Sequence, residues 1–150
     1  MKIKLKKLND KAVVPEYQTE GAAAVDLIAT SQEINLEYGY ICYGTGIAVE
    51  IPEGYEGQIR PRSSIRKTDL SLINAPGTID CDYRGEIMVT FKPTRPARAR
   101  KYEVGDRIAQ LVIAPVARVT FEEVEELSET GRGAKGHGST GGNIGKEQGV

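Results

Sequence analysis

The stretch YICYGTGIAVEIP, Tyr40–Pro52, separates helix from strand for this chain. Ile41, Tyr43, Ile47, Val49 and Ile51 fall on one side of an alternating pattern, with Cys42, Gly44, Gly46 and Ala48 on the other. A period of two belongs to a strand with one buried face. EIMVTFKP (Glu86–Pro93) repeats the pattern: Ile87, Val89 and Phe91 alternate with Glu86, Met88, Thr90 and Lys92. RIAQLVIAP (Arg107–Pro115) is nearly all apolar, as in a strand covered on both sides, with Gln110 the polar exception. Further strands are expected at Lys2–Lys7, Gln58–Pro61 and Arg118–Val124. Pro52-Glu53-Gly54, Ala75-Pro76-Gly77 and Val104-Gly105-Asp106 supply turns. Only SSIRKTDL reads as helical, with Ser63 or Ser64 as its N-cap. Many short strands, Gly/Pro turns and one short helix predict an all-β jelly-roll sandwich. The apolar pattern stops near Leu127, which sets a core domain at 1–126 and a glycine-rich C-terminal arm at 127–150.

A chain of 150 residues fits one domain with an ordinary core. Its 20 Lys+Arg against 21 Asp+Glu give no general attraction to nucleic acid or to an anionic membrane, so no direct contact with either is expected. Any anion must be held by a local site. No apolar run has a membrane-spanning length, and MKIKLKKLND lacks a signal-peptide apolar region. Cys42 and Cys81 form no C-x-x-C pair, which suits a reducing, intracellular setting; a cytoplasmic protein is expected. One histidine and two scattered cysteines argue against a zinc site.

Four segments carry candidate chemistry. In APGTIDCDYRGEI (Ala75–Ile87), strand alternation would set Asp80 and Asp82 on one side and Cys81 on the other. The segment is either a hairpin tip with solvated charges or a general-base aspartate beside the Tyr83 ring; a carboxylate can accept a proton from water, though weakly. In IRPRSSIRK, Arg62 with Ser63 and Ser64 at a helix start makes a phosphate seat or a plain capped surface helix. In GAAAVDLIAT, Asp26 precedes an apolar strand and reads no further than a turn aspartate. The fourth segment is the arm, which holds eight of the seventeen glycines between Gly131 and Val150. Glycines let backbone N–H groups close on an anion, with Arg132, Lys135, Ser139 and Thr140 adding charge and hydroxyls. The spacing is not that of a P-loop. By composition alone, a solvated tail is the default.

Together, in this order, the segments resemble the five motifs of the trimeric dUTPase family. AAAVDLIA is similar to motif one, PRSSIRK to motif two, GTIDCDYRGEI to motif three, GDRIAQLVIAP to motif four and RGAKGHGSTG to motif five. The resemblance implies a β jelly roll that hydrolyses dUTP to dUMP and pyrophosphate, keeping uracil out of DNA and supplying dUMP for thymidylate synthesis. It implies a homotrimer with sites shared between subunits and a C-terminal arm that closes over a neighbour. Asp80 then matches the aspartate that orients and helps deprotonate the water attacking the α-phosphorus. Tyr83 matches the ring under deoxyribose, and Asn74, Gly77, Thr78 and Met88 match the hairpin that reads uracil. Arg62, Ser63, Ser64 and Gln110 match phosphate contacts. Arg132, Ser139 and Thr140 match arm contacts to the outer phosphates, and His137 and Gly138 of the arm are also expected to bind substrate. Mg²⁺ would be held mainly by the substrate phosphates, with Asp26 reaching its shell through water.

The chain departs from that pattern in places. His137 stands where an arm phenylalanine usually stacks on uracil, Lys135 and Ala24 replace common glycines, and Ser64 replaces the glycine after P-R-S. Cys81 replaces a serine or glutamate and is expected to point away from Asp80. Two other readings are a dCTP deaminase of the same fold, against which I-D-C-D-Y-R-G argues, and a nucleotide-dependent regulatory binding protein.

Overall fold

A computed structural model of the chain describes residues 1–95 and 100–136. The chain divides into two units, Met1–Arg118 and Val119–Val150. Ten strands lie in the first: β1 Lys4–Lys7, β2 Val25–Ile28, β3 Ser31–Asn35, β4 Tyr40–Gly44, β5 Ile47–Glu50, β6 Tyr55–Pro61, β7 Leu70–Leu72, β8 Gly77–Ile79, β9 Met88–Pro93 and β10 Arg107–Pro115. They form two four-stranded antiparallel sheets, β2-β10-β6-β8 and β3-β4-β9-β7, and a β1-β5 pair. This is the expected all-β jelly roll.

The inner faces of both sheets meet in one core. Leu27, Ile59, Ile108 and Leu111 come from one side, and Ile41, Tyr43, Leu70, Leu72, Val89 and Phe91 from the other. Tyr43 and Phe91 meet edge to face with ring centroids 5.8 Å apart, and Tyr102 packs on both, 6.4 Å from Tyr43 and 5.5 Å from Phe91. Such aromatic contacts favour one arrangement of the rings. The Tyr43 hydroxyl donates to the Tyr102 carbonyl at 2.9 Å. Burial, with the Glu103 charge nearby, pushes the Tyr43 phenol up to about 12.

Four local expectations are corrected. Tyr40–Pro52 is two strands, broken at Thr45-Gly46 where Gly46 takes φ +67°; the alternation continues because Thr45 is tied to β9's approach through Thr45 Oγ1 donating to the Ile87 carbonyl at 2.6 Å. The helix is a single 3-10 turn, Ser63–Lys67, and its N-cap is Arg62, which makes no side-chain cap bond. Five residues are too few for an α-helix to gain on its nucleation cost. The Arg118–Val124 segment is not a strand, although Val119 and Phe121 alternate, because no strand among the described residues completes its ladder. Asp80, Cys81 and Asp82 leave the strand pattern, because β8 ends at Ile79 and Tyr83 N–H closes a turn on the Asp80 carbonyl at 3.1 Å. No helix among the described residues is long and apolar enough to cross a membrane.

Candidate functional site

The polar residues of motifs one, two and four meet at one end of the β2-β10-β6 ladder. Asp26 lies inside β2, 8% exposed, directly opposite Gln110 of β10, and Gln110 in turn faces Arg60 of β6. Cross-strand partners share a face, so Asp26, Gln110 and Arg60 stand on one side of the sheet. Just past β6, Arg62 turns back and grips Asp26 with two bonds, Nε to Oδ1 at 2.8 Å and Nη2 to Oδ2 at 3.2 Å. This fork geometry is specific to arginine. The remaining amino group, Nη1, donates to Ser64 Oγ at 3.2 Å and to the Arg107 carbonyl at 3.3 Å. Asp26 is thus a buried anchor and not a turn aspartate; its task in the fold is to hold a guanidinium at a sheet edge.

Arg107 is the member of this cluster that sequence reading left unassigned, although it stands inside GDRIAQLVIAP. The β10-β2 register shifts between Arg107 and Ala109, a bulge that buries Ile108 and Ala109 in succession. Bulges re-aim side chains, and here Arg107 Nε comes within 3.7 Å of Asp26 Oδ2. One carboxylate therefore faces two guanidinium groups. Ser63 is exposed on the 3-10 turn beside Ser64.

Asp80 sits elsewhere. Ile79 pairs with Gly57, so Asp80 stands near Glu56, at the opposite end of β6 from Arg62. Arg62 lies six residue steps beyond Glu56, which is roughly 20 Å at about 3.3 Å per step. Asp80, Cys81, Asp82, Glu56 and Arg118 line a cleft of about 290 Å³. Cys81 therefore shares the cleft with Asp80, against the expectation that it points away, because a turn carries the two residues and not a strand.

The hairpin beyond it is tightly built. The Tyr83 hydroxyl donates to the Glu86 carbonyl at 3.1 Å, which folds the ring over Gly85. A Cβ on Gly85 would stand 2.5 Å from Tyr83 Cζ, so only glycine fits under the ring. Glu86, also unassigned from sequence, accepts the Gly46 N–H on Oε1 at 2.7 Å and ties the hairpin base to the β4–β5 break. Asn74, Thr78, Tyr83 and Met88 are exposed, and Gly77 is buried against Ile59. Tyr83 shows 43% of its surface and Met88, at the start of β9, 48%.

In the second unit, Arg132 Nε donates to the Lys135 carbonyl at 3.1 Å across a turn in which Gly133 has φ +53°. His137, Gly138, Ser139 and Thr140 lie outside the described residues.

No cluster of three or more His, Cys, Asp or Glu able to hold a metal occurs among the described residues. Both Asp26 oxygens already accept from Arg62. A carboxylate has about four lone-pair sites, so each oxygen can still accept from a metal-bound water. Asp26 therefore fits contact with a hydrated Mg²⁺ through water.

An arginine–carboxylate anchor thus stands at one end of β6 and an aspartate–tyrosine hairpin at the other. The dUTPase family pattern matches residues 10–141, and the chain belongs to that family. A deoxyuridine 5'-triphosphate nucleotidohydrolase of Nautilia profundicola is 50% identical over 142 residues, covering 94% of this chain and 99% of that protein. Among solved structures, the dUTPase of Staphylococcus bacteriophage 80alpha with dUpNHpp superposes with a TM-score of 0.79 at 28% identity, over 93% of this chain and 98% of that one. That phage protein is described as controlling the transfer of virulence genes. A variant dUTPase from phage phi11 of S. aureus, which coordinates a structural Mg(II) ion, gives 0.71 at 26% identity over 84% of this chain and 98% of that one.

Proposed function

We propose that the chain hydrolyses dUTP to dUMP and pyrophosphate, with water attacking the α-phosphorus, and thereby limits uracil in DNA and supplies dUMP. The observation that carries this reading is the division of labour along β6. An arginine with three anchored nitrogens beside two serine hydroxyls suits phosphate at one end. A carboxylate beside an exposed, fixed tyrosine ring suits sugar and water at the other. At roughly 20 Å apart by strand rise, the two halves belong to different substrates. A complete site then requires the hairpin of one copy and the Arg62 seat of another, which supports a homotrimer with shared sites.

Asp80 orients the attacking water and takes its proton as the oxygen bonds to the α-phosphorus and pyrophosphate departs. Tyr83 supports the deoxyribose, and its bond to Glu86 keeps the ring where a 2′-hydroxyl would collide. Asn74, Gly77, Thr78 and Met88 hold uracil in the hairpin. Arg62, Ser63, Ser64 and Gln110 take the phosphates, and 127–150 act as an arm whose Arg132, His137, Gly138, Ser139 and Thr140 close the site. Mg²⁺ on the nucleotide would supply charge compensation for the leaving pyrophosphate, with Asp26 touching its water shell. General-base catalysis contributes about 10²–10⁴-fold, and positioning and electrostatics the remainder.

Pyrophosphate release with dUTP, dTTP, UTP and dCTP, with and without Mg²⁺, tests the reading. Only dUTP with Mg²⁺ is expected to turn over rapidly. Asp80→Asn is expected to bind dUTP and to turn over at least about a hundredfold more slowly; near-normal turnover means another base. Ammonia released from dCTP would instead establish the deaminase, which no feature of the site favours.

A further inference from the structure

Glu86 bonds in two directions. Its main-chain carbonyl accepts the Tyr83 hydroxyl at 3.1 Å, with the Tyr83 ring lying over Gly85. Its side-chain Oε1 accepts the N–H of Gly46 at 2.7 Å, forty positions back in the chain. A charged acceptor makes a short, strong bond to an amide. One residue therefore joins an exposed ring to the backbone of the β4–β5 break.

The place for that carboxylate is made by glycines. A Cβ on Gly44 would stand 2.6 Å from Glu86 Oε1, so a side chain there would push the carboxylate out. A Cβ on Gly46 would stand 2.6 Å from Asn9 Nδ2, and its φ of +67° favours glycine a second time. The break is tied down on either side: Leu8 N–H donates to the Gly46 carbonyl at 2.7 Å, and Thr30 N–H donates to the Gly44 carbonyl at 2.8 Å. Ile87, the residue after Glu86, is buried; its N–H donates to the Ile47 carbonyl at 2.9 Å, and its carbonyl accepts from Thr45 Oγ1 at 2.6 Å. On the other side of Glu86 the bonds are local. Arg84 Nη1 turns back on the Cys81 and Tyr83 carbonyls, at 2.6 and 2.9 Å, and Gly85 brings no side chain. The carboxylate is thus the link from the last residue of the turn to a fixed part of the sheet.

We propose that Glu86 is a positioning residue whose carboxylate, through the Gly46 N–H, sets the Tyr83 ring and with it the discrimination between deoxyribose and ribose. The proposal rests on the hydrolytic reading above, in which Tyr83 meets the sugar; Glu86 acts through that ring. Without the Gly46 bond the Glu86 carbonyl loses one of its two supports, and the ring gains room in which a 2′-hydroxyl is accommodated. Glu86→Gln keeps an oxygen acceptor at the same reach. Glu86→Asp falls one methylene short, and Glu86→Ala has no acceptor.

The test is the ratio of kcat/KM for dUTP to that for UTP in the full chain, with calorimetric titration of dUMP and UMP beside it. Glu86→Ala is expected to lower both preferences about three- to tenfold, the worth of one hydrogen bond, and Glu86→Gln to restore them to within about twofold of wild type. Glu86→Asp is expected to show the same loss as alanine and takes its place should the alanine variant not fold. In a Tyr83→Phe background the carbonyl has no hydroxyl to hold, so Glu86→Ala is expected to change the preference by less than about twofold more. A merely structural role would slow both nucleotides alike and leave the ratio where it was. An unchanged ratio in folded Glu86→Ala or Glu86→Asp, a loss as deep in Glu86→Gln, or an equal further loss on top of Tyr83→Phe overturns the proposal. The dUMP and UMP titrations need no turnover, so a wild type that fails to hydrolyse dUTP sinks the hydrolytic reading, whereas a wild type that binds dUMP and UMP equally sinks this one.

Discussion

Replacing Asp26 by asparagine removes one charge and turns one acceptor into a donor facing a guanidinium. The anchor is a close two-bond pair, at 2.8 and 3.2 Å, with Asp26 8% and Arg62 24% exposed. Breaking a buried pair costs about 3–5 kcal/mol, and the partial exposure of Arg62 lowers that to roughly 2–3 kcal/mol through solvent screening. Arg107 adds to the cost, since its Nε at 3.7 Å loses the same carboxylate and two like charges are left side by side. For a chain of this length such a loss lowers Tm by about 4–12 °C. Arg62 also loses its aim, because the fork is cut to a single amide oxygen beside Ser64 Oγ and the Arg107 carbonyl, at 3.2 and 3.3 Å. Thermal denaturation by circular dichroism and steady-state kinetics with dUTP read the two effects. KM is expected to rise at least about tenfold, the loss of one charge-assisted contact of 1.5–3 kcal/mol. An asparagine variant within a degree of wild type in Tm, with unaltered KM, refutes the claim that Asp26 anchors the phosphate seat.

The Tyr43 phenol stands near 12 in the folded chain against 10.0 when free. Between those values the unfolded chain loses a proton that the folded chain keeps, so stability is whole below pH 10 and declines as pH rises toward 12, by roughly 3 kcal/mol in all. Tyr43→Phe is expected to flatten that alkaline limb while lowering stability near neutrality by about 1 kcal/mol for the lost bond to Tyr102, as urea melts at several pH values would show; an unchanged alkaline limb refutes the assignment. Gly85→Ala forces the Tyr83 ring aside, since the new methyl meets Cζ at 2.5 Å. It is expected to cut the preference for dUTP over UTP at least about tenfold, one to two kcal/mol of positioning, with Tm nearly kept; unchanged selectivity means that the ring does not read the sugar.

Strand content was legible in the sequence where one face is buried, and less so elsewhere. Ile87, Val89 and Phe91 are 0%, 1% and 0% exposed, so their alternation maps directly onto the core. Gly46 hid a chain break, because a glycine at φ +67° leaves the period of two intact on either side. Strands β3, β7 and β8 escaped the reading: they are three to five residues long, too short to display a period. The 3-10 turn was visible, but its cap was not, since Ser63 and Ser64 have the right chemistry for a cap and Arg62 has the position. Asp26 shows the limit best. A lone aspartate in an apolar strand gives no sign of its partner, because Arg62 lies thirty-six positions away in the chain and reaches it only after β10 has been laid between β2 and β6.

That arrangement also keeps the Arg62 cluster and the Asp80 hairpin apart within one chain. β10 pairs β6 from Tyr55 to Pro61 and β8 pairs it from Gly57 to Ile59, so the ladder holds the two ends of the strand apart. The Arg62 end is fixed by a buried carboxylate, and the Asp80 end by the turn that Tyr83 N–H closes. A flexible strand could have brought the two together at the entropic cost of ordering them for each turnover. On the proposed reading a stiff one keeps each half preformed, and their union would come from the packing of copies. Dilution should therefore abolish turnover more steeply than it melts the fold: specific activity falling with protein concentration while the circular dichroism spectrum holds is the expected result, and activity that persists in a verified monomer would show that one chain suffices.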